Sequence, residues 1–205
     1  MKPEDIMAKL NGRIPAILGY EDFRKHAILL PLIEKNNETH ILFEVRSMKL
    51  RSQPGDICFP GGKIDPTDPD PEYCAIRETT EELRIPKAVV QNIVPLDYIV
   101  ADNGRMIYPF AGTITNPEQI NPNTAEVSET FTVPLSYLLS AKPDVYKVHF
   151  NVVPADDFPL DLIVGGEDYN WRVQSKNELF YHYNDRVIWG LTAKILNHFL
   201  YLIES

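Results

Sequence analysis

The run Arg77-Glu78-Thr79-Thr80-Glu81-Glu82, set behind a glycine turn at Gly61-Gly62-Lys63, limits this chain more than any other feature. Glu78, Glu81 and Glu82 stand at i, i+3 and i+4, so a helix puts all three on one face. Like charges at that spacing repel, at a cost of about 0.2–0.5 kcal/mol per pair. A sequence tolerates this most readily when a cation sits between the carboxylates, and hard oxygen donors suit Mg²⁺ or Mn²⁺. A glutamate-rich helix is otherwise an ordinary solvated face, so the neighbouring residues decide. Asp70 supplies an N-cap and Pro71 a residue suited to the first turn, which predicts a helix from about Pro71 to Leu83.

With Phe59-Pro60-Gly61-Gly62 upstream, this stretch resembles the Nudix box, G-x5-E-x7-R-E-U-x-E-E-x-G-U with U aliphatic. It departs from that pattern in three ways. The interval from Gly62 to Arg77 is one residue longer, so the early glutamate has no clean counterpart among Asp65, Asp68, Asp70 and Glu72. Thr79 replaces the aliphatic residue, and Arg84 stands where the family has glycine. The helix is therefore expected to be stopped by Pro86, with Arg84 favourably placed at the carbonyl end of its dipole.

Residues 46–62, R-S-M-K-L-R-S-Q-P-G-D-I-C-F-P-G-G, resemble a narrower pattern, R-[SA]-x3-R-x3-G-x3-F-P-G-G. It marks the coenzyme A pyrophosphatase branch of the Nudix hydrolases. Arg46, Ser47, Arg51, Gly55, Phe59, Pro60, Gly61 and Gly62 fall in register, and the one-residue insertion is typical of that branch. Gln53 occupies a place where many members carry histidine. The likeness is specific over roughly residues 42–84. Beyond them, Pro122–Val127, Phe131–Leu135 and Ile188–Ala193 resemble the family only in general layout.

The resemblance implies one Nudix hydrolase domain over residues 1–205, with the box at about 62–85. Its fold would be α+β, an α/β/α sandwich with a mixed sheet and a catalytic loop-helix. The implied reaction is metal-dependent cleavage of the diphosphate of coenzyme A or its derivatives, giving 3′,5′-ADP and 4′-phosphopantetheine or its acyl form. Glu78 and Glu82 are the expected main ligands of Mg²⁺ or Mn²⁺. Glu81 would share coordination or help deprotonate water, and the Gly62 carbonyl is a candidate ligand because glycine lets the backbone come close. Arg77 is expected to brace a glutamate, orienting the acidic face.

Glu126 is the candidate for a further ligand or general base, with Glu129 its rival; a surface strand-end glutamate is the plain alternative. Arg46 and Arg51 would meet the phosphates, since planar guanidinium donors match such groups, and Lys63 joins them as a substrate-side cation. Read singly, these are ordinary surface cations. Phe59 is expected to pack beside the turn. Trp189, Tyr181 and Tyr183 read as core or rim residues, any of which could stack on an adenine. Two other functions stay open. One is a Nudix diphosphatase for ADP-ribose, dinucleotides or other nucleoside diphosphate derivatives. The other is a silent nucleotide-binding regulator, which the full set of glutamates argues against.

The formal charge of −9 opposes binding to nucleic acid, which calls for a basic face. It fits an anionic substrate only if metal ions bring positive charge and basic residues gather locally, as Arg46, Lys49, Arg51 and Lys63 do in sequence. Cys58 and Cys74 lack zinc or disulfide spacing and suit a reducing cytosol. The five scattered histidines show no ligand spacing. The amino terminus lacks a signal-peptide core, and no run is long enough to span a membrane, so a cytoplasmic protein without membrane partners is expected. A homodimer is implied by resemblance alone.

Hydrophobic patterning predicts a helix over 3–11 and strands over 26–33 and 40–45. Further strands are expected near 89–100, 106–115 and 127–133, followed by a short helix at 135–140. A strand over 145–153 should pair with one over 178–183. A final helix is expected from about Arg186 to Glu204.

Overall fold

Two apolar runs joined by a two-residue turn set the frame. β1 (Arg24–Lys35) and β2 (Glu38–Arg46) pair antiparallel with Lys35 opposite Glu38. Asn36 and Asn37 both take positive φ, the backbone a tight hairpin turn requires and asparagine tolerates. The computed structural model describes residues 1–101 and 104–204.

An eight-stranded mixed sheet grows from this hairpin. β3 (Ile57–Cys58) and β8 (Val127–Pro134) pair with β2, and β4 (Gly61–Lys63) pairs with β1. β7 (Arg105–Ile114) lies parallel to β1 on its other side and carries β5 (Val90–Pro95) and β6 (Ile99–Ala101). The expected strand at 89–100 is thus two strands. Its break follows a register shift between Gln91 and Val94, with Asn92 at positive φ.

Strand alternation divides the core into two layers. Ala27, Leu29, Ile33 and Leu42 face α2 (Pro71–Leu83), which buries Cys74, Ala75, Ile76 and Leu83 against them. Leu30, Ile41 and Phe43 face α4 (Gly190–Glu204), packing with Ile195, Leu196, Phe199 and Leu200. A sheet between helices is the α+β sandwich expected. α1 (Pro3–Leu10) buries none of its residues, and α3 (Leu135–Ser140) packs Leu138 beside β2 and β8.

β9 (Asp144–Phe150) and β10 (Gln174–Tyr183) pair as expected, forming a three-stranded sheet with β11 (Arg186–Trp189). β11 corrects the expectation of a helix from Arg186. Asn184 at positive φ turns the chain back, and Val187, Ile188 and Trp189 suit a pleated surface. The helix starts only at Gly190. No helix among the described residues is long and apolar enough to cross a membrane.

Candidate active site

α2 is held at its first turn as its sequence requires. The Asp70 carboxylate accepts from the Tyr73 N–H at 2.7 Å, and Pro71 opens the helix. Thr79 fits a fully buried site because its hydroxyl donates to the Ala75 carbonyl at 2.7 Å. At the other end Arg84 corrects the expected role of Pro86. Arg84 itself takes the left-handed conformation, φ 51° and ψ 47°, and returns its N–H to the Thr80 carbonyl. It does what a glycine does at a helix end, while its guanidinium donates to Asn123 Oδ1 at 3.0 Å.

The glycine turn and the helix are fitted to each other. A Cβ at Gly61 would strike the Ala27 carbonyl and Ile28, so only glycine lets β4 lie this close to β1. A Cβ at Gly62 would occupy the space of the Glu78 carboxylate. The Gly61 N–H donates to Glu82 Oε2 at 2.8 Å. Glu78 and Glu82 therefore turn toward the glycine loop, half-buried and buried respectively. Glu81 departs from the expected convergence: it is exposed and leans toward Arg77 at 3.4 Å. Residues at i+3 and i+4 straddle a face about a turn wide, and the loop covers only the side carrying Glu78 and Glu82.

Arg77 braces this face. It holds Asp68 with two parallel 2.9 Å hydrogen bonds and Glu78 with a third at 2.9 Å. The Asp68 side chain is 1% exposed, and its grip by Arg77 lowers its pKa to about 2. Asp68, unassigned from sequence, is thus the anchor for Arg77.

Glu44 is the residue that sequence reading missed. It lies on the same face of β2 as Leu42, turned toward α2, and is 1% exposed. Its carboxyl lies close enough to that of Glu82 for the two charges to act on each other, and its Oε1 has no hydrogen-bond partner. Burial, then the charge of Glu82, drives its pKa well above the ordinary range. Burial also pushes Glu82 up to about 8, reinforced by Glu78 and Glu126 and opposed by the Gly61 N–H. The same desolvation raises Glu78. The signal was a lone glutamate inside the apolar run His40–Val45.

Arg46 and Glu126 border these carboxylates. Arg46 follows a register shift at Val45, which re-aims the strand end, and its positive charge opposes the raised pKa of both Glu44 and Glu82. Its guanidinium donates to the Ser52 carbonyl at 3.1 Å. Glu126 is held by Asn123 Nδ2 at 3.0 Å, and the Ser47 N–H donates to its carbonyl at 2.7 Å. Glu129 is diverted from the site by a two-point pairing with Arg186 at 2.9 and 3.1 Å. Arg51 and Lys63 are exposed. Phe59 packs as expected, its ring 5.0 Å from that of Phe43. Tyr181 is a core residue, bonded through its hydroxyl to Asn197.

Among the described residues, no three His, Cys, Asp or Glu side chains are drawn up as a closed ligand set. Arg77 pulls Glu78 and Glu81 aside, and the carboxylates repel one another. The residues nevertheless fit a hard divalent cation: the donors are all oxygen, Gly62 leaves room for Glu78, and Glu44 presents an unpartnered oxygen.

A mixed sheet between helices, with a glycine turn feeding a glutamate helix, defines the Nudix hydrolases. The chain belongs to that family, whose NUDIX domain model matches residues 23–156. It is 40% identical over 122 residues to a mouse (Mus musculus) protein named peroxisomal coenzyme A diphosphatase NUDT7, covering 60% of this chain. That alignment spans 51% of the mouse protein, about half its length. A Photorhabdus laumondii protein described as the uncharacterized Nudix hydrolase NudL is 34% identical over 174 residues, covering 85% of this chain and 82% of its own. A MutT/nudix family protein from Enterococcus faecalis shares the fold at a TM-score of 0.54 and 13% identity, over 100% of this chain and 70% of its own.

Proposed function

We propose that this chain hydrolyses the diphosphate of coenzyme A or its derivatives with Mg²⁺ or Mn²⁺, giving 3′,5′-ADP and 4′-phosphopantetheine or its acyl form. The observation that carries the reading is the position of Arg46, the first residue of the R-S-x3-R-x3-G extension, beside the Glu44–Glu82 pair. The mouse relative's name supports the same substrate.

In this reading Glu78 and Glu82 would hold the cation, with Glu81 at the rim and the Gly62 carbonyl as a further donor. A divalent cation there would supply charge neutralisation for the diphosphate and would acidify water. Arg77 keeps the Glu78 carboxylate oriented through its own attachment to Asp68. Glu126, steadied by Asn123, accepts a proton from the attacking water. Arg46 and Arg51 take up phosphate oxygens, and Lys63 adds positive charge at the entrance. Water adds to one phosphorus, and the bridging oxygen leaves with the other phosphate. Positioning and charge stabilisation dominate such a reaction.

We read the whole chain as one such domain. The free thiols of Cys58 and Cys74 suit a reducing cytoplasm, and the partner is a small molecule, with a homodimer as the form to test. The experiment is a turnover comparison of coenzyme A, ADP-ribose and a dinucleotide with Mg²⁺ or Mn²⁺, products resolved by chromatography. Fastest release of 3′,5′-ADP from coenzyme A supports the proposal. Faster cleavage of ADP-ribose replaces the substrate, and binding without cleavage of any of the three favours a silent regulator.

A further inference from the structure

The geometry points to Glu44 as an additional ligand of the divalent cation held by Glu82, so that β2 as well as α2 supplies a carboxylate. This rests on the proposed metal-dependent reaction. Glu44 reaches the site from a strand, while Glu78, Glu81 and Glu82 come from one helix. It extends the donor set across the gap between the two layers.

Three observations converge. Glu44 is 1% exposed, the burial of a core residue, in a strand whose neighbours Leu42 and Phe43 are core leucine and phenylalanine. A carboxyl group is rarely retained in such a place unless paired or bound to metal. Its Oε1 has no hydrogen-bond partner, whereas buried polar atoms in folded proteins nearly always have one. Its carboxyl lies in the field of Glu82, whose own Oε2 already accepts from the Gly61 N–H.

Two buried neighbouring carboxylates need either a shared proton or a shared cation. A shared proton would serve these two carboxyls alone. A cation between them would also draw on the further oxygen donors close by, Glu78 and Glu126. Mg²⁺ commonly takes one or two carboxylates and fills its remaining positions with water and substrate phosphate oxygens. A Glu44–Glu82 pair with Arg46 and Glu126 as its charged neighbours matches that demand.

The discriminating variant is Glu44→Gln, which keeps an N–H donor for Glu82 and removes one anionic oxygen ligand. Mn²⁺ is titrated into the purified full chain, wild type, Glu44→Gln and Glu82→Gln, with free Mn²⁺ read by electron paramagnetic resonance. Thermal unfolding is followed with and without the ion. The expected result is that Glu44→Gln loses one Mn²⁺ per chain or weakens its binding tenfold or more. Its Mn²⁺-induced rise in Tm should shrink, while its metal-free Tm is no lower than that of the wild type. Glu44→Thr, also neutral and smaller, gives the same isotherm if Glu44→Gln does not fold. A wild-type isotherm in a folded Glu44 variant, alongside lost binding in Glu82→Gln, overturns the assignment of Glu44 and leaves the proposed reaction standing. A wild-type chain that binds no Mn²⁺ at millimolar concentration overturns both.

Discussion

Arg77 is joined to Asp68 by two parallel hydrogen bonds of 2.9 Å, linking α2 to the loop that leads into it. The same guanidinium reaches Glu78, so the loop's position and the carboxylate's direction are set by one side chain.

Breaking that link should cost both stability and turnover. Asp68→Ala removes two charge-assisted hydrogen bonds to a partly covered arginine and is expected to destabilise the chain by about 2–3 kcal/mol, read by urea unfolding. Arg77→Lys keeps the charge but loses the planar fork. Its turnover should fall on the order of 10–100-fold, the range for residues that orient ligands.

Glu82→Gln should leave the fold intact and stop metal-dependent turnover. The Gly61 N–H can donate to a glutamine carbonyl as it does to Glu82 Oε2. Rates are expected to drop on the order of 100-fold or more, with circular dichroism and metal-free Tm at or above wild type. Near-native turnover would contradict the assignment of Glu82.

Without metal, stability should fall as pH rises through the window set by Glu82. Its pKa is raised from an ordinary 4.5 to about 8, so between those values the folded state binds more protons than the unfolded one. That contribution is fully present below about pH 4.5 and lost as pH passes about 8. Asp68 acts oppositely in a separate window: its pKa is lowered from 3.8 to about 2, and its contribution is lost as pH falls through that range. Metal-free Tm should therefore decline from pH 5 to 8, and saturating Mg²⁺ should flatten or reverse the decline. A metal-free Tm that rises across this range would contradict the burial of Glu82 as a strained carboxylate.

Arg84→Gly tests the end of α2. Glycine takes the left-handed conformation without the cost of a Cβ, about 1 kcal/mol, against which stands the lost bond to Asn123. A small net gain of about 0.5 kcal/mol in urea unfolding is expected, with a modest loss of turnover because Asn123 also steadies Glu126.

Much of this arrangement is legible from local chemistry. Asp70-Pro71 fixes the start of α2, and helix periodicity gives the shared side of Glu78 and Glu82. The remainder depends on residues far apart in the chain. Glu44 comes near Glu82 only because strand alternation turns it, with Leu42, toward α2. Glu81 has the same helical spacing as its neighbours but lies beyond the cover of the glycine loop. Arg84 is not legible as a helix stop because a residue with a Cβ rarely takes the left-handed conformation, and its side-chain partner Asn123 lies 39 residues away. Arg186–Trp189 reads as the start of the last helix until the Asn184 turn returns it to β10.

The most direct test of the central claim is hydrolysis of coenzyme A in ¹⁸O-labelled water, with both products weighed by mass spectrometry. The account predicts one ¹⁸O atom in the phosphate of a single product, 3′,5′-ADP or 4′-phosphopantetheine, with Mg²⁺ or Mn²⁺ present and no cleavage in excess chelator. Cleavage that continues in chelator, or intact coenzyme A after prolonged incubation with either metal, would contradict it.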